Sequence, residues 1–168
     1  MKRLRLLTVC ALTCGLFYHC APVTPLVYDT NYDYDIRVDF KAMGHYYAWL
    51  PLPVTATITP LNAERLKYFV DNSLSLKGYA ASQSRPDFLI EPLIDSTSQI
   101  DTTGGPAQYG LYREARLDLT FLLPKSRQII WHGETRVRVN PGLNPQEKDQ
   151  LIQAAVYEIL KNFPPPAS

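Results

Sequence analysis

The clearest alternation of apolar and polar positions lies in the segment YDYDIRVDFK, residues 32–41. Tyrosine, isoleucine, valine and phenylalanine occupy every second position, and aspartate, arginine and lysine lie between them, which predicts a half-buried strand. HYYAWL at 45–50 is typical of a second strand, which the following PLP ends. Residues 115–123 and 129–139 alternate in the same way on either side of the turn segment PKSR and predict a hairpin.

Two segments have the apolar spacing of helices. In residues 60–78 apolar side chains recur three and four positions apart, with Asn62 or a neighbour as the predicted cap and Gly78 as the left-handed stop. Residues 144–163 have a broader apolar face. They begin with NPQE, which supplies a cap, a proline at the first helical position and the glutamate of a capping box.

The remaining segments complete the predicted fold. PDFLIEPLI at 86–94 predicts a strand in which Pro92 favours an edge position or a bulge. Residues 95–111 are polar and glycine-rich, and we expect a long loop there, of a functional or a disordered kind. The order ββαβββα predicts an α+β fold, a two-layer sandwich with one mixed or antiparallel sheet of about five strands and both helices on one face.

The first 19 residues have the form of a lipoprotein signal peptide. MKRLR is a basic region, and LLTVCALTCGLF is an apolar stretch of 12 residues, shorter than the roughly 20 that span a bilayer. We predict that Cys20, directly before Ala-Pro, is the lipid-carrying first residue of the mature protein. Residues 20–31 are then a tether and residues 32–166 a single domain. The other cysteines lie in the leader, so the domain has no internal disulfide.

The residues around Cys20 bear on where the protein is located. A typical lipobox carries small residues at the positions held here by Tyr18 and His19, so an uncleaved inner-membrane signal anchor is the alternative. Ala21, rather than an aspartate, favours the periplasmic face of the outer membrane by the sorting rule of enteric bacteria. Without its leader the chain has 14 basic and 16 acidic side chains, and this weakly acidic balance argues against a nucleic-acid partner.

The sequence contains no motif that assigns a catalytic, cofactor or metal site. His45 and His132 are predicted as solvated side chains, and neither belongs to a metal-ligand spacing. TTGGP at 102–106 lacks the lysine of a phosphate-binding loop. The aromatic residues of 28–49 are explained by strand composition better than by a sugar- or peptide-binding surface. Evenly spaced carboxylates on the first strand do not converge on a calcium ion: Asp29, Asp33, Asp35 and Asp39.

Five segments together resemble one family. They are YDYDIRVDFKAMGHYYAWLPLP, RLKYFVDNSLSLKGY, PDFLIEPLI, YREARLDLTFLLPKSRQIIWHGETRVRV and AVYEILKNFPP. They are similar to bacterial lipoproteins of the domain of unknown function 4136 family, which share an Asp-rich first strand, a KGY-to-PDFL join, a Trp-x-Gly on the return strand and an ILKNFPP end. The resemblance implies a Gram-negative envelope lipoprotein with a periplasmic α+β domain. It implies no activity and no catalytic residues.

These observations predict a non-enzymatic lipoprotein, held at the membrane by its lipid, that binds or scaffolds an envelope protein or polymer without a cofactor. One alternative is a hydrolase of cell-wall or surface polymers that uses two paired carboxylates. A second alternative is a small-ligand binder with residues 95–111 as a lid. A pocket with two converging carboxylates would favour the hydrolase, and a filled core with an exposed sheet would favour the binding module. The candidate carboxylates are Glu91, Asp95, Asp101 and Glu114.

Overall fold

The computed structural model of the protein describes residues 28–52, 58–101, 110–139 and 142–165. Within these ranges six strands form one sheet in the order β1-β6-β5-β4-β2-β3. The β1–β6, β6–β5 and β5–β4 pairs are antiparallel, and the β4–β2 and β2–β3 pairs are parallel. The strands are β1 Tyr28–Tyr34, β2 Tyr46–Trp49, β3 Ala80–Ala81, β4 Phe88–Asp101, β5 Gly110–Leu122 and β6 Ile129–Val139; the helices are α1 Pro60–Leu76 and α2 Pro145–Leu160.

The predicted α+β architecture is confirmed. The buried residues of both helices share one core with the inward side chains of the central strands, so both helices cover the same face of the sheet. The sixth strand, beyond the five expected, is the two-residue β3, which pairs with β2 at the sheet edge. Its shortness left no alternation to detect in the sequence.

The helices begin and end largely as expected. At α2 the capping box is complete: the Asn144 side chain accepts from the Glu147 backbone N–H at 2.9 Å, and the Glu147 carboxylate accepts from the Asn144 N–H at 2.8 Å. At α1 the cap is Thr59 instead of Asn62; its hydroxyl accepts from the Asn62 N–H. Gly78 has φ +88° just after α1, a conformation that glycine adopts without strain.

The two helices run side by side in the same direction. Near their starts, Arg65 of α1 and Asp149 of α2 form an ion pair with an Nε–Oδ1 distance of 2.5 Å. Beyond their ends, the rings of Tyr79 and Phe163 lie 5.4 Å apart. Both N-termini therefore lie at one end of the sandwich and both C-termini at the other.

The predicted bounds of the first strand are wrong. β1 spans Tyr28–Tyr34 rather than 32–41, because two aspartates further along turn the chain. The Asp35 carboxylate accepts from the Arg37 N–H at 2.9 Å, and the Asp39 carboxylate accepts from the backbone two and three residues on. Such bonds from a side chain to the nearby backbone favour turns over strands. Ile36, predicted to face the core, is consequently 76% exposed.

The polar stretch after residue 94 is also different from the prediction. Residues 95–101 continue β4, and residues 110 and 111 begin β5, so the loop prediction is wrong for these residues; residues 102–109 lie outside the described ranges. The two long strands pair along this whole length, and this pairing overrides the polar composition. Pro92 lies on β4 two residues beyond the last one paired with β2, so within the described ranges β4 has one neighbouring strand there, as expected for an edge position.

The predicted hairpin is formed by β5 and β6. One detail differs, because the register shifts next to Phe121. Ile129, expected on the inner face, is 55% exposed, and Ile130 is fully buried in its place. A bulge inserts one residue into a strand, so the alternation of inward and outward side chains shifts by one position beyond it.

Candidate functional site

The segments that resemble the family meet in one aromatic cluster at the C-terminal end of the helices. Phe163, from the ILKNFPP segment, is fully buried at its centre. Five other rings have centroids within 4.6 to 6.0 Å of it. They are Phe40, Tyr79, Phe88, Phe121 and Trp131. These segments therefore contribute packing, and the cluster is core.

The Trp-x-Gly motif has a steric explanation. A Cβ atom on Gly133 would lie 2.4 Å from Cη2 of Trp131 and 2.6 Å from Cγ2 of Ile159. The glycine thus leaves the space into which the indole packs. The Trp131 Nε1 atom is buried and has no hydrogen-bond partner among the described residues, and the Trp131 ring lies 4.8 Å from that of Phe121.

The KGY-to-PDFL join also holds the fold together. Tyr79 and Phe88 are buried, with ring centroids 5.6 Å apart. The Asp87 carboxylate accepts from the Tyr46 N–H at 2.9 Å, and the Asp87 N–H donates to the Tyr46 carbonyl at 2.7 Å. Because a Cβ atom on Gly44 would overlap the Asp87 carboxylate, this glycine lets the two segments approach.

The outer face of the sheet, opposite the helices, carries a network of charged side chains at its centre. The Nη2 atom of Arg116 lies 3.0 Å from the Asp118 carboxylate and 2.9 Å from the Glu134 carboxylate. Arg136 Nε lies 2.6 Å from the other Glu134 oxygen. Asp118 is only 3% exposed, and burial raises the pKa of its carboxyl in spite of the Arg116 hydrogen bond that lowers it.

Three donors within this outer-face network have the spacing of a metal site. One ligand atom each from Asp118, His132 and Glu134 lie within 4.8 Å of one another. Arg116, however, is bonded to both carboxylates, and a metal ion would have to replace it. The Thr120 hydroxyl also lies 3.1 Å from Nδ1 of His132, so the ring is held in the polar face rather than freely solvated. The arrangement is satisfied as an ion-pair network and does not need a cation.

The other sequence-predicted polar residues do not converge. His45 is exposed beside the Tyr79 ring. Asp29 and Asp33 are exposed on β1, while the carboxylates at 35 and 39 bind backbone N–H groups. Alternation places Tyr32 on the helix side, but it is 43% exposed at the edge strand, where it stacks on Tyr34.

The carboxylates of the hydrolase alternative face basic or polar partners. The strand register sets Asp95 opposite Arg116, Glu114 opposite Arg138, and residue 91 opposite a threonine. The side chain of residue 101 lies outside the described part of the chain. The structure thus gives these carboxylates no common pocket among the residues it describes.

A cavity of about 370 Å³ lies between the sheet and the N-terminal ends of both helices. Asp95, Arg113 and Lys148 are the charged residues among its described lining. A smaller space of about 50 Å³ shares part of this lining and reaches Leu117 and Ala155; its described walls are aliphatic apart from one arginine and one threonine. The apolar walls of the larger cavity include Ile58, Ile94, Ala115, Val139, Leu151 and Ile152.

Sequence reasoning did not find this cavity. Leu151 and Ile152 belong to the apolar face of α2 that predicts core, and both are half-buried at the cavity wall. Arg113 precedes the alternating segment that predicted the strand. Cys20, the predicted lipidation site, lies outside the described residues. None of the described helices is long and apolar enough to cross a bilayer.

The fold and its sites define an α+β domain with one mixed sheet, a helix-covered core and a polar outer face. The chain belongs to the family described as Domain of unknown function (DUF4136), which matches residues 30–165. This agrees with the resemblance seen in the sequence. No curated protein matches the chain significantly.

Solved structures of low identity share the fold. A PDZ domain protein from Parabacteroides distasonis aligns with a TM-score of 0.54 at 13% identity, over 84% of this chain and 36% of that one; this chain thus spans about a third of that protein. The PelC dodecamer from Paraburkholderia phytofirmans aligns with a TM-score of 0.54 at 10% identity, over 80% and 95% of the two chains. A minor lipoprotein from Acinetobacter baumannii reaches 0.43 at 13% identity, over 70% and 91%. At these identities the likeness concerns the fold alone.

Proposed function

We propose that the protein is a non-enzymatic lipoprotein of the bacterial cell envelope, anchored by a lipid on Cys20. Its domain binds or scaffolds another envelope component through the outer face of the sheet. The anchor is supported by the basic and apolar leader and by the cysteine that follows it. An alanine directly after Cys20, at position 21, favours the periplasmic face of the outer membrane. The competing location is the inner membrane, held there by an uncleaved leader.

The observation that carries the binding role is the outer face itself. Both helices cover the opposite face, and the outer face presents charged side chains already paired with one another, including Arg116, Glu134 and Arg136. Such a preorganised polar surface can accept a partner at low ordering cost. The cavity, in contrast, is lined by a single described carboxylate, so no observation favours the hydrolase.

The anchor is tested by metabolic labelling with a palmitate analogue. We expect the label on the wild-type protein and on Cys14→Ala, the matched control within the leader, and its loss in Cys20→Ala. Fractionation of the labelled cells then gives the membrane that holds the protein. Label that persists in Cys20→Ala refutes the anchor.

The binding surface is tested with a photo-crosslinking amino acid introduced in living cells. We expect a discrete adduct from position 136, on the outer face, and none from position 157, where Tyr157 is 65% exposed on α2. The adduct mass separates a different envelope protein from a second copy of this chain, an outcome to include because PelC was crystallised as a dodecamer. Adducts from both positions, from neither, or from 157 alone contradict the assignment.

A further inference from the structure

We propose that the cavity between the sheet and the helix N-termini binds a small anionic amphiphile, with its apolar chain inside and its carboxylate or phosphate head at Arg113 and Lys148. This site is separate from the outer face and does not depend on the lipid anchor. Its volume of about 370 Å³ lies within the usual range for small-molecule sites, roughly 300–1,000 Å³.

The interior of the cavity is suited to an apolar chain. The inner space reaches Leu117 and Ala155, and most of its lining is aliphatic. Its two polar lining residues among those described are already bonded elsewhere, Thr135 to the Thr30 hydroxyl and Arg116 to the carboxylates of the outer face. A water molecule there would lack the two to four polar partners that a buried water needs. An apolar group would instead regain the dispersion contacts that the open space forfeits.

The two cations at the lining are available to an anion. No hydrogen bond or ion pair joins the side chain of Arg113 or Lys148 to another residue in the described ranges. The acidic neighbours of Lys148 are engaged elsewhere, since Glu147 closes the capping box and Asp149 pairs with Arg65.

The placement of the two cations follows from the fold. Arg113 shares its face of β5 with inward-facing Leu117, and it lies opposite Val139 at the open end of the sheet. Lys148 is in the first turns of α2, next to the start of the parallel helix α1. The third charged residue, Asp95, accepts from the Ser96 N–H at 2.7 Å and lies opposite Arg116 in the register, which directs it to the outer face.

Photoaffinity labelling of the full-length protein in isolated membranes tests the proposal without detergent. The probes are a ten-carbon photoreactive carboxylate, the corresponding alkyl phosphate and the corresponding alcohol, and mass spectrometry maps the labelled peptide. We expect saturable labelling of the cavity peptides by at least one anion. Whichever anionic probe labels at the lower concentration shows whether the site prefers a carboxylate or a phosphate head. Labelling by the alcohol should need at least about tenfold more probe, because it lacks the charge-assisted bonds.

Variants separate specific binding from partition into the membrane. Arg113→Gln and Lys148→Gln should each weaken anion labelling about tenfold, while Lys161→Gln, at the opposite end of α2, should leave it unchanged. Ala115→Leu, whose larger side chain would occupy part of the cavity, should reduce labelling by all three probes. If this variant misfolds, the variants of Arg113 and Lys148 still test the proposal. Equal labelling by alcohol and anions, equal behaviour of the three charge variants, or label outside the cavity overturns the proposal.

Discussion

Replacing Gly133 by alanine tests whether the Trp-x-Gly motif serves packing. The new Cβ would lie 2.4 Å from Trp131 and 2.6 Å from Ile159, and both neighbours are fully buried, so neither has free space to move into. Overpacking of this kind costs about 1–3 kcal/mol, whereas alanine in place of glycine inside a strand otherwise gains about 0.5–1 kcal/mol. Two contacts this short with buried neighbours place the cost in the upper half of that range, about 2–3 kcal/mol, so we expect a net loss of about 1–2.5 kcal/mol in the free energy of unfolding.

Urea denaturation of the purified variants, followed by far-UV circular dichroism, measures this loss. The decisive comparison repeats Gly133→Ala in a Trp131→Phe background, where the smaller ring should relieve most of the clash. Gly142→Ala is the matched control: its φ is +88° and its Cβ would meet nothing within 4 Å, so its cost should be the same in both backgrounds. A neutral Gly133→Ala, or an equal cost with tryptophan and phenylalanine, would refute the packing explanation.

Two further predictions concern single aspartates. Asp35 accepts from Arg37 at 2.7 Å and from Gln128 at 2.6 Å, and the Arg37 hydrogen bonds hold its pKa well below the ordinary 3.8. The stabilisation by the Asp35 carboxylate is complete above pH 3.8, the pKa of an ordinary aspartate, and is lost as the pH falls through the lower pKa of the folded state. The urea midpoints of wild type and Asp35→Asn should therefore differ near neutral pH and approach each other in acid. A difference that stays constant with pH would contradict this. Asp71 accepts from two buried or half-buried donors of β2, the Tyr47 hydroxyl and the Trp49 indole, and Asp71→Ala should cost about 1–3 kcal/mol. Urea denaturation should show a smaller loss of stability for Tyr47→Phe, because the bond from Trp49 to Asp71 remains. Equal losses for the two variants would contradict a stabilising role for both bonds.

Local signals in the sequence were sufficient where the bonds are local. The start of α2 follows from NPQE because the capping box is made within that tetrapeptide. The hairpin of β5 and β6 follows from alternation, because burial of one face imposes period two. Neither prediction needs knowledge of the rest of the chain.

The predictions that failed depend on competing or distant contacts. Alternation continues past Tyr34, but the side chains of Asp35 and Asp39 bond to the backbone and end the strand there. The polar residues 95–101 became strand because β5 pairs with them. The cavity depends on how the starts of two helices separated in the sequence meet the sheet, and no residue pattern along the chain encodes that distance.

The two ends of the sandwich serve different purposes. At the end where the helices finish, the family-like segments pack around Phe163, and the aromatic side chains that they contribute are buried in the core. At the end where the helices begin, apolar walls and two cations surround open space. Stability and binding should therefore separate by position. Phe163→Leu should lower the free energy of unfolding while the protein that remains folded keeps its labelling. Lys148→Gln should weaken labelling and leave the free energy of unfolding unchanged. A variant at either end that alters both properties equally would show that the two ends are coupled, and the cavity would then belong to the core rather than to a ligand.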